Sequence, residues 1–402
     1  MRISNNSNQY LESFNNLKTW IERNHFAGYD PYDGLRSPIF KAFAGRNRFL
    51  PLSVIQINKK SPINFRPLLM IKRGYNPKAL GLLLYVYSRL YILTNNEKYR
   101  RISKILYSML VKLKSRGYSG SCWGYNFDYE TPIKFVSRFT PSIVVTAFVI
   151  KGMNEYYKIS KSSKVRNTMV SSKNFIMNDL DRTDFGDRLC FSYTPVQSDL
   201  VHNANLLGAE TLSLIYSFGG SDELKEVIEK SLKYSIRKQN KNGSWYYRID
   251  PITNKPRKQI DFHQGYILDS ISNCVSLLGL EKSYYQDIIA KGLNFYLTSQ
   301  FKSDGSSYWR WPRYWPIEIH NQSQGIITLC KHSNDSRNLI PFAEKIAKFT
   351  ISNMQSRRGY FYYQKWPIIT NKIPYMRWSQ AWMLLALFEL MQKRGDNIEA
   401  IN

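Results

Sequence analysis

One apolar pattern recurs along the chain about every sixty residues. Each copy has a polar or proline-containing start, a small residue and an apolar helical run, as in NPKALGLLLYVYSRL and DFHQGYILDSISNCVSLL. Six small residues anchor the copies: Gly81, Thr146, Asn205, Gly265, Gly325 and Ala381. Their spacings of 65, 59, 60, 60 and 56 predict a repeat of one supersecondary unit.

A second set of segments alternates with the first. These segments are amphipathic and lysine-rich, with apolar residues at i, i+3, i+4 and i+7, as in VIEKSLKYSI and AEKIAKFTISNM. The pattern predicts helices with one solvated face. They span residues 98–114, 164–180, 221–239, 284–300 and 337–355.

A glycine followed by aromatic residues ends each unit, as in GYSGSCWGYNF, FGDRLCFSY, NGSWYYR, DGSSYWRW and RGYFYYQKW. Glycine permits a turn with positive φ, and the aromatic pairs suit a short hairpin or an extended loop. Each repeat is therefore predicted to contain an inner helix, an outer helix and an aromatic loop.

Six such units predict an all-α fold, a single (α/α)6 toroid of six helical hairpins with short aromatic-rich hairpin loops at one end. An open solenoid would use shorter repeats and polar capping repeats, which this chain lacks. We assign residues 66–395 to the toroid. Residues 1–65 are expected to pack on it, either covering one mouth or supplying an outer helix near residues 10–22.

The composition fits a packed protein of 402 residues, with 43% hydrophobic and 22% charged residues, and excludes a disordered or fibrous chain. The four cysteines lie far apart without a CxxC pair, so we interpret them as reduced core thiols. No signal-peptide core and no membrane-length apolar run is present. We expect a cytoplasmic protein without a membrane span and without a cofactor.

The net charge of +27 raises the question of nucleic-acid binding. The lysines are spread along the predicted outer helices, as in KEVIEKSLKYSIRKQNK, and no nucleic-acid recognition motif occurs. We therefore expect no nucleic-acid partner. A basic rim would attract a polyanionic glycan equally well.

Polar residues gather at the start of the predicted inner helices, where a toroid forms a pocket. His202, His263 and His320 occupy nearly the same register in three successive repeats, and Asp261 and Glu318 each precede a histidine by two residues. A carboxylate there either orients the imidazole for acid–base work or caps the helix. The spacing of paired metal ligands is missing, so no metal site is predicted.

The candidate residues form two groups. Those predicted to be catalytic are His202, Asp261, His263, Glu318, His320 and Asp128. Those predicted to bind substrate come from the helix starts, the aromatic loops and the segment GYDPYDGLRS, with Arg66 in addition: Asp30, Asp33, Arg36, Arg66, Trp123, Tyr125, Asn126, Asn203, Asn205, Trp245, Trp309, Tyr363, Arg377 and Gln380. The alternatives are Asx-turns for the carboxylates and loop packing for the aromatic rings.

Several segments, GYSGSCWGYNFDYE, VHNANLLGAE, QNKNGSWYYR, DFHQGYILDS and MRWSQAWMLLAL, resemble a bacterial and archaeal family of α/α-toroid proteins. The resemblance covers residues 28 to 390. Members are often found with polysaccharide-biosynthesis genes, and their fold is related to squalene cyclases, prenyltransferases and six-hairpin glycosidases. The resemblance implies a carbohydrate-linked role.

Two finer likenesses point in different directions. QNKNGSW is similar to the QW repeat of triterpene cyclases, but the DxDD acid motif is absent, which disfavours terpene chemistry. The C-terminal stretch RW-x-Q-x-W and the tyrosine-rich loops are remotely similar to the catalytic toroid of D-glucuronyl C5-epimerases, in which tyrosines and a carboxylate exchange the C5 proton. The stretch consists of Arg377, Trp378, Gln380 and Trp382.

These observations predict an enzyme acting on a glycan or lipid-linked glycan that contains uronate, by epimerisation, lyase chemistry or hydrolysis. Proton abstraction would use His263 or a tyrosine as base and Arg377 as the cation for the uronate carboxylate. Hydrolysis would use two carboxylates instead. The alternative is a non-catalytic glycan-binding or scaffold component of an exopolysaccharide assembly, with other polysaccharide-biosynthesis proteins as partners.

Overall fold

The computed structural model describes residues 3–41, 49–130, 135–334 and 339–401. These residues contain fourteen α-helices: α1 Ile3–Arg23, α2 Pro38–Lys41, α3 Phe49–Lys60, α4 Pro77–Thr94, α5 Glu97–Lys112, α6 Ile143–Ser160, α7 Ser163–Asn174, α8 His202–Tyr216, α9 Asp222–Ile236, α10 His263–Leu278, α11 Lys282–Ser299, α12 Ile319–Lys331, α13 Leu339–Met354 and α14 Ala381–Arg394. Two π-helical turns, Phe175–Asp179 and Met376–Gln380, adjoin α7 and α14.

Ten short strands also occur in the described residues: β1 Tyr129–Glu130, β2 Phe135–Val136, β3 Arg182–Asp184, β4 Leu189–Phe191, β5 Leu200–Val201, β6 Arg248–Ile249, β7 Pro256–Arg257, β8 Ile317–Glu318, β9 Gln364–Lys365 and β10 Thr370–Asn371. They pair antiparallel as β1–β2, β3–β4, β5–β6–β7 and β8–β9–β10. All lie in the loops between an outer helix and the next inner helix.

The inner helices close a ring. Within the described residues, α4, α6, α8, α10, α12 and α14 contact one another in that order, and α14 returns to contact α4. The helices α5, α7, α9, α11 and α13 lie outside them. The predicted (α/α)6 toroid is confirmed, as are the predicted outer helices to within a few residues; positions 337 and 338 of the last one lie outside the described residues.

The N-terminal helix α1 lies in the outer layer where the ring closes. Phe14 packs against Phe388 of α14, with ring centroids 6.5 Å apart. The Ser13 hydroxyl donates to Gln355 Oε1 at 2.8 Å, just beyond the end of α13. Helix α1 therefore covers the last inner helix as the other outer helices cover theirs.

The local sequence explains why the inner helices begin where they do. The Asn76 side chain accepts from the backbone N–H of Lys78, and Pro77 occupies the first turn of α4. Ser142 caps α6 in the same way. Further along, α4 and α6 approach closely, because a Cβ atom on Gly152 would lie 2.2 Å from the Gly81 carbonyl oxygen.

The aromatic loops turn at glycines with positive φ, as predicted. Gly117, Gly186, Gly243, Gly305 and Gly359 have φ angles of +83°, +83°, +90°, +89° and +94°. Since the short turns after the inner helices lie at the opposite end, the ring has a loop end, where the inner helices begin, and a turn end, where they finish.

Two further findings concern the cysteines and the hydropathy of the helices. All four cysteines are buried and free, which confirms the interpretation as core thiols. None of the described helices is both long enough and apolar enough to cross a membrane.

Candidate active site

His263 and Asp261 form a close pair at the first turn of α10. The Nδ1 atom of His263 lies 2.5 Å from Asp261 Oδ1, and Gln259 donates to the other carboxylate oxygen at 2.6 Å. The side chain of His263 is 16% exposed. Its Nε2 atom has no hydrogen-bond partner among the described residues, so this nitrogen is available to a ligand.

His320, at the start of the neighbouring inner helix α12, is buried. Its Nε2 atom lies 2.6 Å from the Tyr266 hydroxyl, which in turn accepts from Lys78 Nζ at 3.4 Å. Lys78, Tyr266 and His320 come from α4, α10 and α12, so the three side chains meet near the ring axis.

Aromatic side chains hold the two imidazoles close together. The ring centroid of Phe262 lies 4.1 Å from the centroids of both His263 and His320. Trp378 and Trp382 each pack against His320 with centroids 4.8 Å apart. The apolar surroundings limit hydration of His320.

This environment shifts the pKa values of the cluster. Burial, with the cations Lys78 and Arg377, holds the pKa of His320 well below its ordinary value of 6.5. Burial and Arg377 likewise hold the pKa of Lys78 well below 10.5. His320 is therefore neutral at pH 7 and can accept the Tyr266 hydroxyl proton in its hydrogen bond.

Asp261 responds differently to the same kind of burial. Burial disfavours its charge, but His263 and Gln259 oppose that effect and together lower the pKa of Asp261 below 3.8. An ionised carboxylate in contact with Nδ1 stabilises a positive charge on the imidazole of His263.

Glu318 is buried between two donors. Trp378 Nε1 donates to one carboxylate oxygen at 2.9 Å, and Gln364 Nε2 donates to the other at 2.7 Å. Gln364 belongs to β9, which pairs with β8, where Glu318 itself lies. The loop strands therefore fix Glu318 behind Trp378.

Two buried ion pairs lie beside the cluster. Arg377 donates from Nε and Nη2 to the two carboxylate oxygens of Asp30 at 2.5 and 2.7 Å. Arg66 donates from Nε to Asp33 at 2.7 Å and from Nη2 to the Asp30 carbonyl at 2.8 Å. The segment GYDPYDGLRS is thereby joined to the π-helical turn before α14.

Half-buried aromatic residues line the mouth above His263. Tyr247 packs against His263 with centroids 4.7 Å apart, and the Arg377 guanidinium lies 4.7 Å from the Tyr125 ring centroid. Tyr32 packs against Trp378 at 5.6 Å, and Lys59 Nζ lies 4.3 Å from the Tyr32 centroid. The mouth therefore combines tyrosine and tryptophan surfaces with cations.

Several candidate residues instead hold an aromatic loop against the helices on either side of it. Gln380 exchanges two hydrogen bonds with the backbone of Phe361, each 2.8 Å long. Asn205 accepts from the Phe191 N–H at 3.0 Å. The indole N–H groups of Trp123 and Trp245 donate at 2.8 Å to backbone carbonyls of their own outer helices.

His202 shares the register of the other two histidines but not their surroundings. Its ring stacks on Tyr234 with centroids 5.5 Å apart, and Nδ1 lies 3.4 Å from the Ser235 hydroxyl. Burial lowers its pKa to about 3. His202 therefore lies between α8 and α9 rather than beside His263.

The remaining candidates lie around the mouth or in the loops. Asp128 accepts from the Arg138 N–H, and Asn126 accepts from the Asn76 side chain. Arg36 packs against Gly74, since a Cβ atom on Gly74 would lie 2.5 Å from Arg36 Nη1. Asn203 is buried at the start of α8. Trp309 and Tyr363 lie in loops, where Trp309 contacts Arg310 and Tyr363 packs on Tyr375.

Sequence reasoning did not single out Tyr266, Lys78 or Phe262 as site residues. Two signals were present. Tyr266 follows His263 by three residues and so shares its helix face, and Lys78 is one of two charged residues in the apolar helix α4. Among the described residues, no group of three or more His, Cys, Asp or Glu side chains is arranged to hold a metal ion.

The fold is that of solved α/α toroids. A cellobiose 2-epimerase from Bacillus thermoamylovorans aligns with 78% of this chain and 88% of its own at 14% identity, with a TM-score of 0.64. An unsaturated glucuronyl hydrolase specific for heparin aligns with 82% of this chain and 90% of its own at 12% identity, with a TM-score of 0.59. A GH76 α-mannanase from Bacteroides thetaiotaomicron aligns with 81% of this chain and 89% of its own at 12% identity, with a TM-score of 0.62.

At such identities the likeness establishes the architecture alone, an α/α toroid, which agrees with the fold that the resemblance drawn from the sequence implied. No protein-family model matches the chain, and no curated protein sequence does so significantly.

Proposed function

We propose that the protein is a carbohydrate-active enzyme that moves a proton at a carbon of an acidic sugar, by epimerisation or elimination, at the loop end of the ring. The observation that carries this proposal is the adjacency of two different imidazoles. His263 is paired with a carboxylate and partly exposed, while His320 is neutral, buried and paired with a tyrosine.

His263 is the base in this proposal. Its Nδ1 atom is held by Asp261, so a substrate C–H proton would go to the unpartnered Nε2 atom, and the ionised carboxylate would stabilise the resulting imidazolium. Such a base works best when its orientation is fixed, which the contacts with Phe262 and Tyr247 supply.

The pair of Tyr266 and His320 is the second proton-transfer group. The Tyr266 hydroxyl, held in place by neutral His320, would give its proton to the substrate carbanion, leaving a phenolate that solvent reprotonates once the product has left and His263 has released its proton. Burial raises the pKa of Tyr266 well above 10.0, so the hydroxyl keeps its proton until the substrate carbanion takes it. Proton transfer from two directions is what inversion of a carbon centre needs.

One cation at the mouth is placed to bind the carboxylate of an acidic sugar. Arg377 is already paired with Asp30, so Lys59 is the better placed cation for a substrate carboxylate. It lies over Tyr32 and 6.0 Å from the Trp378 centroid, where a sugar ring can stack. Among the solved toroids, the unsaturated glucuronyl hydrolase supports an acidic sugar, and the cellobiose 2-epimerase supports epimerisation.

Hydrolysis is less well supported by the carboxylates. It needs one carboxylic acid with a raised pKa opposite a second carboxylate. Burial raises the pKa of Asp33 to about 6, but this carboxylate is buried against Arg66. The pKa of Asp261 is lowered, Asp30 is paired with Arg377, and Glu318 accepts two hydrogen bonds. Proton transfer by the histidines therefore remains the preferred chemistry, and the resemblance supports a place for it in polysaccharide metabolism.

The test is incubation of the full chain with glucuronate-containing oligosaccharides in D2O, followed by NMR and mass spectrometry. We expect deuterium at C5 or a 4,5-unsaturated product, lost in His263→Gln. The matched control is His202→Gln, which changes the same register in α8, and it should retain exchange. New reducing ends with neither deuterium nor a 4,5-unsaturated product would indicate hydrolysis instead, and binding without any turnover would indicate the glycan-binding alternative.

A further inference from the structure

A cavity of about 470 Å³ lies inside the ring at the turn end. It is separate from the histidine cluster, because His263 and His320 do not line it. The rings of Phe148, Tyr266 and Trp382 form its inner wall. Lys393, exposed at its rim, marks the side on which the cavity reaches solvent.

Positive side chains converge on this cavity from four inner helices. Its described lining includes Arg89 of α4, Lys151 of α6, Lys331 of α12 and Lys393 of α14. The carboxylates in the same lining are those of Asp269 and Glu389. The lining therefore carries more cations than anions, although it belongs to the apolar interior of the ring.

These cations differ in how well they are compensated. Lys151 Nζ pairs with Glu210 at 2.8 Å, and Arg89 pairs with Glu155 at 4.0 Å and donates from Nη2 to Gln392 at 2.7 Å. Lys331 donates to the backbone carbonyl of Asp269 at 2.7 Å and forms no salt bridge with a described residue. A carbonyl oxygen carries only a partial charge, so Lys331 is the least compensated of the three.

The charged side chains of this lining are poorly hydrated, which raises the free energy of keeping them charged. Burial lowers the pKa of Lys331, and burial raises the pKa of Glu389. A partly desolvated ammonium gains more from an anion than an exposed one does. The ring interior at the turn end thus favours a negatively charged guest.

We infer that this cavity binds a small organic anion of mono- or disaccharide size, a sugar phosphate or sugar acid. The anionic group would contact Lys331 and Arg89, and the sugar ring would pack against Phe148, Tyr266 and Trp382. The volume falls within the range of ordinary ligand pockets. This inference rests on the cavity alone and does not depend on proton transfer at the loop end.

The test is calorimetric titration of the full chain with four probes: glucose 6-phosphate, glucuronate, inorganic phosphate and glucose. We expect glucose 6-phosphate or glucuronate to bind, inorganic phosphate to bind more weakly because it lacks the ring, and glucose not to bind. Affinity should fall with added salt. Absence of binding by both sugar anions, or equal binding of uncharged glucose, overturns the inference.

Variants locate the bound anion. Lys331→Gln keeps a donor for the Asp269 carbonyl but removes the charge, and it should weaken binding about tenfold or more. Lys104→Gln removes one exposed charge from outer helix α5 and should leave the affinity unchanged. Arg89→Gln serves as the second cavity variant if Lys331→Gln does not fold, as judged by circular dichroism.

His263→Gln separates this site from the loop end. The variant should abolish deuterium exchange and leave binding of the sugar anion intact. If His263→Gln removes binding while Lys331→Gln and Arg89→Gln do not, the anion occupies the loop end and the cavity is not its site. Failure of exchange with intact, Lys331-dependent binding would count against the proposed function only.

Discussion

The Tyr266 hydroxyl and the His320 Nε2 atom lie 2.6 Å apart although 54 residues separate them in the chain. The bond links the inner helices α10 and α12 at the level of their first turns, close to His263. It leaves the tyrosine ring in the wall of the turn-end cavity and its hydroxyl among the loop-end histidines. One side chain therefore touches both ends of the ring interior.

Tyr266→Phe should lower the rate of proton exchange without preventing folding. The ring keeps its packing on Trp382, at a centroid distance of 5.5 Å, while His320 loses its hydrogen bond. We expect kcat to fall about 100-fold, as for loss of a general acid or base, with KM changed much less. Steady-state kinetics on the uronate substrate measure both constants.

The control for this variant is Tyr234→Phe. The Tyr234 hydroxyl is buried without a hydrogen-bond partner among the described residues, and it lies next to His202 rather than His320. Its removal should leave kcat unchanged. An equal loss of kcat in both variants would mean that the effect comes from the core and not from the bond to His320.

Asp261→Asn should separate orientation of His263 from substrate binding. The amide preserves the shape of the side chain but cannot stabilise an imidazolium, so we expect kcat to fall by about two orders of magnitude while KM stays within a few-fold. Asp261→Glu, which retains the charge, should recover part of the rate. A rise in KM with unchanged kcat would assign Asp261 to substrate binding instead.

Removal of the Arg377 guanidinium should destabilise the fold. Arg377→Met leaves the Asp30 carboxylate buried without its partner, which costs about 3 to 5 kcal/mol for a pair of this kind. Adding Asp30→Leu should restore much of the loss, since no charge is then left unpaired. Denaturant unfolding of the two single variants and the double variant measures the coupling.

A weak coupling in that cycle would have a different meaning. If Arg377→Met unfolds at nearly the wild-type denaturant concentration yet abolishes glycan binding, the guanidinium acts on the substrate, as the sequence analysis predicted, rather than on Asp30. The structure favours the first result because both carboxylate oxygens of Asp30 are engaged.

His202 should make the fold sensitive to mild acid. Its pKa is about 3 in the folded protein, below the ordinary value of 6.5, so the neutral form is favoured in the folded state. The stabilisation is complete above pH 6.5 and decreases as the pH falls, because the unfolded chain takes up the proton first. By pH 4.5 the loss should be about 3 kcal/mol.

The measurement compares wild type with His202→Gln by urea unfolding at pH 7 and pH 4.5. The glutamine side chain can still reach Ser235 but does not titrate, so the variant should lose less stability on acidification. His320 titrates in both proteins and cancels from the comparison. Equal losses would show that His202 is protonated in the native state.

The architecture was predictable because it depends on repetition. An apolar run recurring about every sixty residues specifies an inner helix wherever it occurs. The glycine in each of the five aromatic loops likewise predicted the positive φ that the structure has there. The role of α1 was left between two alternatives, since an amphipathic helix does not itself reveal which apolar surface it will cover.

The site was predictable only where neighbours in space are neighbours in sequence. Asp261 and His263 are two residues apart, and their contact followed from the helix start. Lys78 and Tyr266 are 188 residues apart and meet only because the ring closes. His202 shares the register of His263 and His320, but the tyrosine and serine of α9 surround it, and register carries no information about such neighbours.

The position of α1 has a consequence for synthesis of the protein. Ser13 bonds to a residue 342 positions further along the chain, so α1 reaches its native contacts only after the last helices of the ring have been synthesised. Until then its buried face, with Tyr10, Phe14 and Leu17, has no native surface to cover. Ring closure is therefore a late, long-range step, and nascent chains that stop before α14 expose apolar surface that chaperones would bind.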